Sequence, residues 1–397
     1  MAKKKAGKFS SFLNNPMDFT LLITIILLLG IGLVMLLSAS SPSALAETGD
    51  SYRYFTRQLM FGILGVIAMF AISKIDYRFY QKFYKHAWWI SILLLGAVLA
   101  FGTESNGAQR WIYIGELSFQ PSEIVKFLMI VFYAGILVKN RDDLPKIGKG
   151  FIKHFAMVLP IIGLLLLQPH FSASIVILGI VSLMMIVAGC KFKHFLGAGS
   201  FLIPVIIVLV VVEPYRFQRV LTFLDPWEDA TGTGWQVIQS LYAIGSGGLF
   251  GVGLGESKQK YLYIPEPHND FIFSIIGEEL GFIGCALILI LFAIFIWRGT
   301  LIAMKAPDMF GSLMAVGITA LIAIQVIINI AVVTSSMPAT GMPLPFFSYR
   351  RNGIVHITVW NGSITQHIKS KCKSNREIGT VLEIPPRRDF GDGPIKK

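Results

Sequence analysis

The apolar positions of this chain gather into nine long runs, at 19–37, 58–72, 87–102, 124–138, 155–167, 174–188, 195–212, 271–297 and 311–334, most of them separated by short polar links. Apolar runs approaching roughly 20 residues are long enough to cross a bilayer as helices, so the pattern predicts an all-α polytopic membrane protein. The first run follows Lys3, Lys4, Lys5 and Lys8 and precedes Ala44-Leu45-Ala46, which imitates a signal-peptidase site. A secretory core spans only about 7–15 residues, so this run is read as a retained helix and residues 1–18 as a cytoplasmic segment. The pattern has one long interruption, 213–270, where a polar, glycine-rich stretch separates the seventh and eighth runs. A connection that long inside an apolar protein is functional or disordered, and its aromatic clusters and glycine spacing favour function.

Composition agrees with this picture. Hydrophobic residues make up 54% of the chain and charged residues 15%, with mean hydropathy +0.65, whereas soluble domains carry about a quarter charged residues. The formal charge of +12 reads as topology, not nucleic-acid binding. Alternate connections are basic: Lys74, Arg78, Lys82 and Lys85; Lys139, Arg141, Lys146, Lys149 and Lys153; Lys191 and Lys193; Arg298 and Lys305. Those loops are assigned to the cytoplasm with the N-terminus, which puts 213–270 outside. Cys190, Cys285 and Cys372 have neither metal nor redox spacing, and no zinc site is expected at His170 or His268.

Ionisable groups within or beside the apolar runs are the candidate chemistry. Glu123 and Lys126, three residues apart, share a helix face and form either a helix-locking ion pair or part of a substrate site. Arg57 is either an interfacial snorkelling residue or an anion contact, and Arg110 beside Trp111 reads as an interfacial anchor. Gly245, Gly247, Gly248, Gly251, Gly253 and Gly255 permit close backbone approach, to a ligand or within turns. Lys258 and Lys260 alternate with Tyr261 and Tyr263 and suit an anionic headgroup or an interface. Asp270 closes Pro265-Glu266-Pro267-His268-Asn269-Asp270 at the start of the eighth run, as either a helix N-cap or a general base. Glu278 and Glu279, deeper in that run, are expected to stabilise packing.

Over about Phe19 to Tyr349 the chain resembles the SEDS family (shape, elongation, division and sporulation). The matching segments, in the family's order, include Arg57-Gln58, Gln109-Arg110-Trp111-Ile112, Gln120-Pro121-Ser122-Glu123, Gln168-Pro169, Gln239-Ser240, Pro265-Glu266, Asp270-Phe271-Ile272-Phe273, Glu278-Glu279-Leu280-Gly281 and Pro343-Leu344-Pro345-Phe346-Phe347-Ser348-Tyr349. Pro226-Trp227-Glu228 and Gly253-Leu254-Gly255-Glu256-Ser257-Lys258-Gln259-Lys260 look like the FtsW/SpoVE-like branch. Asn269 stands where threonine is common, and His170 where the family often has aspartate. The resemblance implies a ten-helix bundle that polymerises lipid II into glycan strands and releases undecaprenyl diphosphate. It implies Asp270 as the catalytic base, with Arg57, Glu123, Lys126, Gln239, Lys258, Glu266 and His268 on substrate. It fixes no cofactor, and a divalent cation is a candidate for the diphosphate. The implied partners are the nascent glycan strand, a class B penicillin-binding protein transpeptidase and division regulators. A lipid II flippase and a non-catalytic scaffold for a transpeptidase are the alternatives.

The resemblance stops at Tyr349, and the 350–397 tail carries ten Lys or Arg and no spanning run, so nine helices are readable where the family has ten. Shifting the reading frame forward by one nucleotide at the Arg350 codon permits GGTALFILLFGMGLLLNISK, an apolar, helix-length segment that opens on the family's glycine pair. The tail therefore reads as the product of a single-nucleotide insertion near the Tyr349 codon. Resequencing the gene from Ser348 to Lys373 is expected to recover this apolar segment in the shifted frame, and codons unable to encode it end the idea.

Overall fold

In the computed structural model, residues 18–349 are described except for 106, 107, 115, 116 and 262, so the tail lies outside the described residues. Eight described helices are long and apolar enough to cross a membrane: α1 (Phe19–Thr48), α2 (Arg53–Ile72), α3 (Arg78–Phe101), α4 (Pro121–Lys139), α5 (Ile147–Leu167), α6 (Phe171–Ala188), α10 (Ile272–Met304) and α11 (Met309–Val333). The remaining apolar run forms α7 (Phe192–Val211). The long connection contains α8 (Pro214–Leu224) and α9 (Trp235–Ser246), which periodicity did not reveal because both are short and mixed in polarity. Between α3 and α4 lie β1 (Thr103–Ser105), β2 (Ala108–Ile114) and β3 (Leu117–Phe119), antiparallel in that order, with Thr103 opposite Trp111 and Ile112 opposite Phe119. The other regular structure among the described residues is helical.

Two aspartates set helix starts at the basic end. Asp18 accepts from the Leu21 amide (2.9 Å) and pairs with Arg298 of α10 (Nε 3.1 Å), while Asp308 accepts from the Gly311 amide (2.7 Å) and from the Tyr77 hydroxyl (2.5 Å). Each carboxylate thus satisfies orphan backbone donors and ties two chain segments together. The centre of the bundle is built by α4, α6, α10 and α11, whereas Ile63 and Ile67 of α2, Leu93 of α3, Val208 of α7 and Leu287 of α10 are exposed. Such an apolar exterior is the surface expected where lipid is the solvent. The chain is a multi-pass membrane protein.

α10 is broken at Gly281, whose φ of 65° and ψ of −167° leave the helical region. The break frees backbone groups in an apolar setting, and residues 248–253 take up every exchange. Phe282 and Ile283 amides donate to the Gly248 and Leu249 carbonyls (2.9 and 3.1 Å), while Val252 and Gly253 amides donate to the Glu278 and Glu279 carbonyls (3.0 and 3.1 Å). Such contact requires glycine: a Cβ on Gly251 would lie 2.1 Å from the Glu279 oxygen, and one on Gly247 2.0 Å from the Gly277 oxygen. At these two positions the close approach expected of the glycine run is made to the protein's own helix.

Glu278 and Glu279 then anchor the following turn. Glu278 accepts from the Ser257 hydroxyl (2.5 Å) and from the Lys258 and Gln259 amides (3.0 and 3.3 Å), while Glu279 accepts from Ser38 of α1 (2.7 Å) and from Lys260 Nζ (2.9 Å). Lys260 is 3% exposed, which corrects its reading as a headgroup or interface contact: the buried carboxylate of Glu279 draws it inward.

After α11 the chain re-enters the bundle as irregular backbone, 335–349. Phe346 and Phe347 are buried against Phe295 and Phe292, and the Phe346 carbonyl passes so near α1 that a Cβ on Gly32 would lie 2.4 Å from it. Irregular backbone at this depth is tolerated because protein surrounds it.

Gly281→Ala is expected to cost on the order of 1–3 kcal/mol from backbone strain alone, and more because its Cβ would meet the Gly251 nitrogen at 2.3 Å. Thermal unfolding of the purified protein in detergent checks this, with Gly30→Ala, at a position with open space, as the neutral control.

Candidate active site

The approach to α10 is a stiff turn. Glu266, between two prolines, has φ 46°; its carbonyl accepts from the Asn269 amide (3.0 Å) and its carboxylate from the Asn269 side chain (2.6 Å). His268 is buried in a stack with Tyr54 of α2 (ring centroids 4.6 Å apart) and lies edge-on to Tyr349, whose amide donates to the His268 carbonyl (2.8 Å). Burial pushes the His268 imidazole below its ordinary value, against the pull of Glu266 and Glu47, so the ring is neutral at pH 7.

Asp270 follows this turn and is half-buried. The first turn of α10 has Phe271 at its N-cap and no side-chain capping bond, so the carboxylate is not used as a cap. Instead the residue is held through its main chain: Asn329 of α11 donates to the Asp270 carbonyl (2.8 Å) and to the Met342 carbonyl (2.7 Å). The carboxylate lies against the backbone at Gly341, where a Cβ would be 3.2 Å from Oδ2. Neighbouring carbonyls are also held, Ala339 by Arg219 of α8 and Thr340 by Ser172 of α6.

From Ser172 the polar contacts continue into the bundle. His170, two residues earlier, accepts at Nδ1 from the Ala173 amide (3.4 Å), and its Nε2 lies against the Gln120 side-chain amide nitrogen (2.7 Å) and the Ser122 hydroxyl (3.3 Å) at the start of α4. One turn further, Lys126 Nζ contacts both Glu123 oxygens (2.8 and 2.9 Å), with Lys126 2% and Glu123 7% exposed. Gly317 of α11 packs on Ile130 of α4 and Gly179 of α6 on Ile324 of α11, a register that raises Gln325 and Asn329 to the level of this polar layer. The side-chain oxygens of Gln325, Asn329 and Thr340 are buried without a hydrogen-bond partner among the described residues. Unsatisfied buried acceptors on converging elements suit a polar ligand or water.

The expected site residues therefore divide. Asp270, Glu266 and His268 share one turn. Arg57 lies beside Gln58, which donates to the Ser348 carbonyl (3.2 Å), and one turn beyond Tyr54; its half-buried side chain makes no hydrogen bond or ion pair among the described residues. Glu123 and Lys126 join the same end of the bundle through His170 and Ser172. Gln239 is buried in α9, where its neighbour Ser240 donates to the Val333 carbonyl (2.9 Å), and Lys258 is exposed with its amide on Glu278. Among the described residues, no hydrogen bond or ion pair brings either of these two to the Asp270 turn. Asn329, Gln325, Ser172 and Thr340 were missed. The available signal was an Asn and a Gln four residues apart in an otherwise apolar helix. Among the described residues, no group of three or more His, Cys, Asp or Glu is placed to hold a metal.

A helical membrane bundle with a half-buried carboxylate at the mouth of a polar, cation-containing interior is the class of protein that fold and site define. The chain matches the cell cycle protein family FtsW/RodA/SpoVE over residues 19–369 and belongs to it. It is 46% identical to stage V sporulation protein E of Bacillus subtilis over 84% of this chain and 91% of that protein, and 40% identical to a probable peptidoglycan glycosyltransferase FtsW of Trichlorobacter lovleyi over 84% and 88%. Among solved structures it is similar to a chain of a peptidoglycan synthase complex (TM-score 0.75, 29% identity, 89% of this chain and 98% of that one). It is also similar to the rod shape determining protein RodA of Thermus thermophilus (TM-score 0.66, 25% identity, 89% and 97%).

The Glu123–Lys126 pair is buried, so Glu123→Gln or Lys126→Met alone leaves a charge without its partner and is expected to cost about 3–5 kcal/mol. The double change Glu123→Leu with Lys126→Met is expected to cost less than either. Melting temperatures of the three variants check this order.

Proposed function

We propose that the protein is a peptidoglycan glycosyltransferase that polymerises lipid II into glycan strands with release of undecaprenyl diphosphate. The observation that carries the reading is the state of Asp270: a half-buried carboxylate held through its main chain, not used to cap α10, facing the glycine backbone at 341. In this reading Asp270 accepts the proton from the 4-hydroxyl of the acceptor GlcNAc as that oxygen attacks the anomeric carbon of the lipid-linked donor. An α-linked donor and a β-linked product need a single inverting displacement, so one carboxylate suffices. Charge developing on the leaving diphosphate calls for cations. Arg57 is the best placed of the candidates, because Lys126 already contacts both oxygens of Glu123. Glu266 and His268 act by holding the turn that carries Asp270.

The N-terminus and the basic connections lie in the cytoplasm in this reading, with 213–270 on the outer side where the sugars are. A class B penicillin-binding protein transpeptidase is the partner, supported by the likeness to a chain of a peptidoglycan synthase complex. The curated likenesses favour service in the division or sporulation septum.

Asp270→Asn, purified and supplied with lipid II, is expected to lose glycan polymerisation with its melting temperature within a few degrees of wild type. Undiminished polymerisation removes Asp270 as the base. Headgroup translocation without glycan product in the wild type favours transport instead.

A further inference from the structure

A cavity of about 310 Å³ opens beside the candidate active site, between α8, α9 and the segment after α11. Gln218, Arg219 and Thr222 line it from α8, Trp235 and Gln236 from α9, and Met337 from the returning chain. It is connected to the carboxylate through backbone. Pro265 on its rim begins the turn that ends in Asp270, and Ala339, also in its wall, stands two residues before Gly341.

The walls are specific in what they offer. Two amides, the Thr222 and Thr233 hydroxyls (2.9 Å apart), one guanidinium and one indole face the space together with apolar side chains, and neither a carboxylate nor a lysine is among its lining residues. The indole is fixed by its Nε1 bond to the Tyr263 carbonyl (2.6 Å), and Gln236 donates to the Pro265 carbonyl (3.3 Å). A lipid tail would lay hydrocarbon against the Gln218 amide and the Arg219 guanidinium, and a diphosphate would ask for more than one cation. A divalent ion would ask for oxygen ligands with charge. An N-acetylated sugar answers the whole set, with an apolar ring face for the indole, hydroxyl and acetamido groups for Gln and Thr, and a carboxylate-bearing substituent for Arg219.

We infer that this cavity is a saccharide subsite that holds a sugar of the glycan strand next to the reacting one. The inference rests on the glycosyltransferase reading and adds to it a place where the strand is retained between additions.

The test uses the full chain in nanodiscs with the soluble GlcNAc–MurNAc disaccharide as probe, followed by saturation-transfer NMR. Wild type and Asp270→Asn are expected to give the same N-acetyl methyl signals, because binding precedes chemistry. Gln218 is exposed and has no hydrogen bond among the described residues, so changing it leaves the fold intact. Gln218→Ala is expected to weaken binding roughly tenfold, the equivalent of about 1.4 kcal/mol. Gln218→Trp, which fills the cavity from its rim, is expected to abolish binding and to shorten the strands made from lipid II. Failure of the wild type to bind the disaccharide, or binding and strand length unchanged by Gln218→Trp, overturns the subsite. A wild type that binds the disaccharide but makes no glycan instead overturns the polymerase reading and leaves the subsite standing.

Discussion

The fold depends on a backbone constraint: inside a membrane every peptide N–H and C=O freed from a helix must find another partner. At Gly281 the chain breaks its longest helix and meets the constraint by exchanging four hydrogen bonds with residues 248–253. That exchange fixes the glycine loop on α10 and presents Glu278 and Glu279 to the turn that follows. Ser257, Lys258, Gln259 and Lys260 are then held by the two carboxylates, with Ser38 joining from α1. The arm that runs on to Pro265 and Asp270 therefore starts from a fixed base. In the proposed reaction Asp270 takes up a proton, and a carboxylate in that role needs such a base to hold its geometry.

The other half of the site comes from distant parts of the chain. α4, α6 and α11 bring Gln120, His170 and Asn329 to one level, and the returning segment at 339–342 is held by Arg219, Ser172 and Asn329 from three different helices. Charge is treated with economy there. Glu123 and Lys126 neutralise one another below the mouth, His268 is kept neutral by burial, and Asp270, Arg57 and Arg219 are half-buried charged side chains of the mouth itself.

Much of this was legible in the sequence because membrane helices follow from one-dimensional hydropathy. The runs at 124–138 and 174–188 fall within α4 and α6, that at 311–334 overruns the end of α11 by one residue, and the Glu123–Lys126 spacing predicts the pair that forms. The first run ended too early, at 37, because Ser38, Ser40, Ser41 and Ser43 interrupt hydropathy without interrupting a helix that continues to Thr48. The strands at 103–119 and the helices α8 and α9 were invisible, since short elements of mixed polarity carry little period. Lys260 was misplaced because nothing local to it announces a buried glutamate nineteen residues later. Asn329 was missed because its role lies in joining two carbonyls that are distant in the chain and meet only after folding.

The order in which these parts leave the ribosome matters. The carbonyls at 339, 340 and 342, the Tyr349 amide on His268 and the Phe346 contact with Gly32 all belong to the final stretch before residue 350, yet they enclose a turn made some seventy residues earlier and a helix made first. A nascent chain halted before Ala339 already carries Asp270 and α10 but has no wall opposite the carboxylate and no partner for half of Asn329. The site is thus closed by a segment that arrives only after α11, and a bundle inserted without it has no closed site.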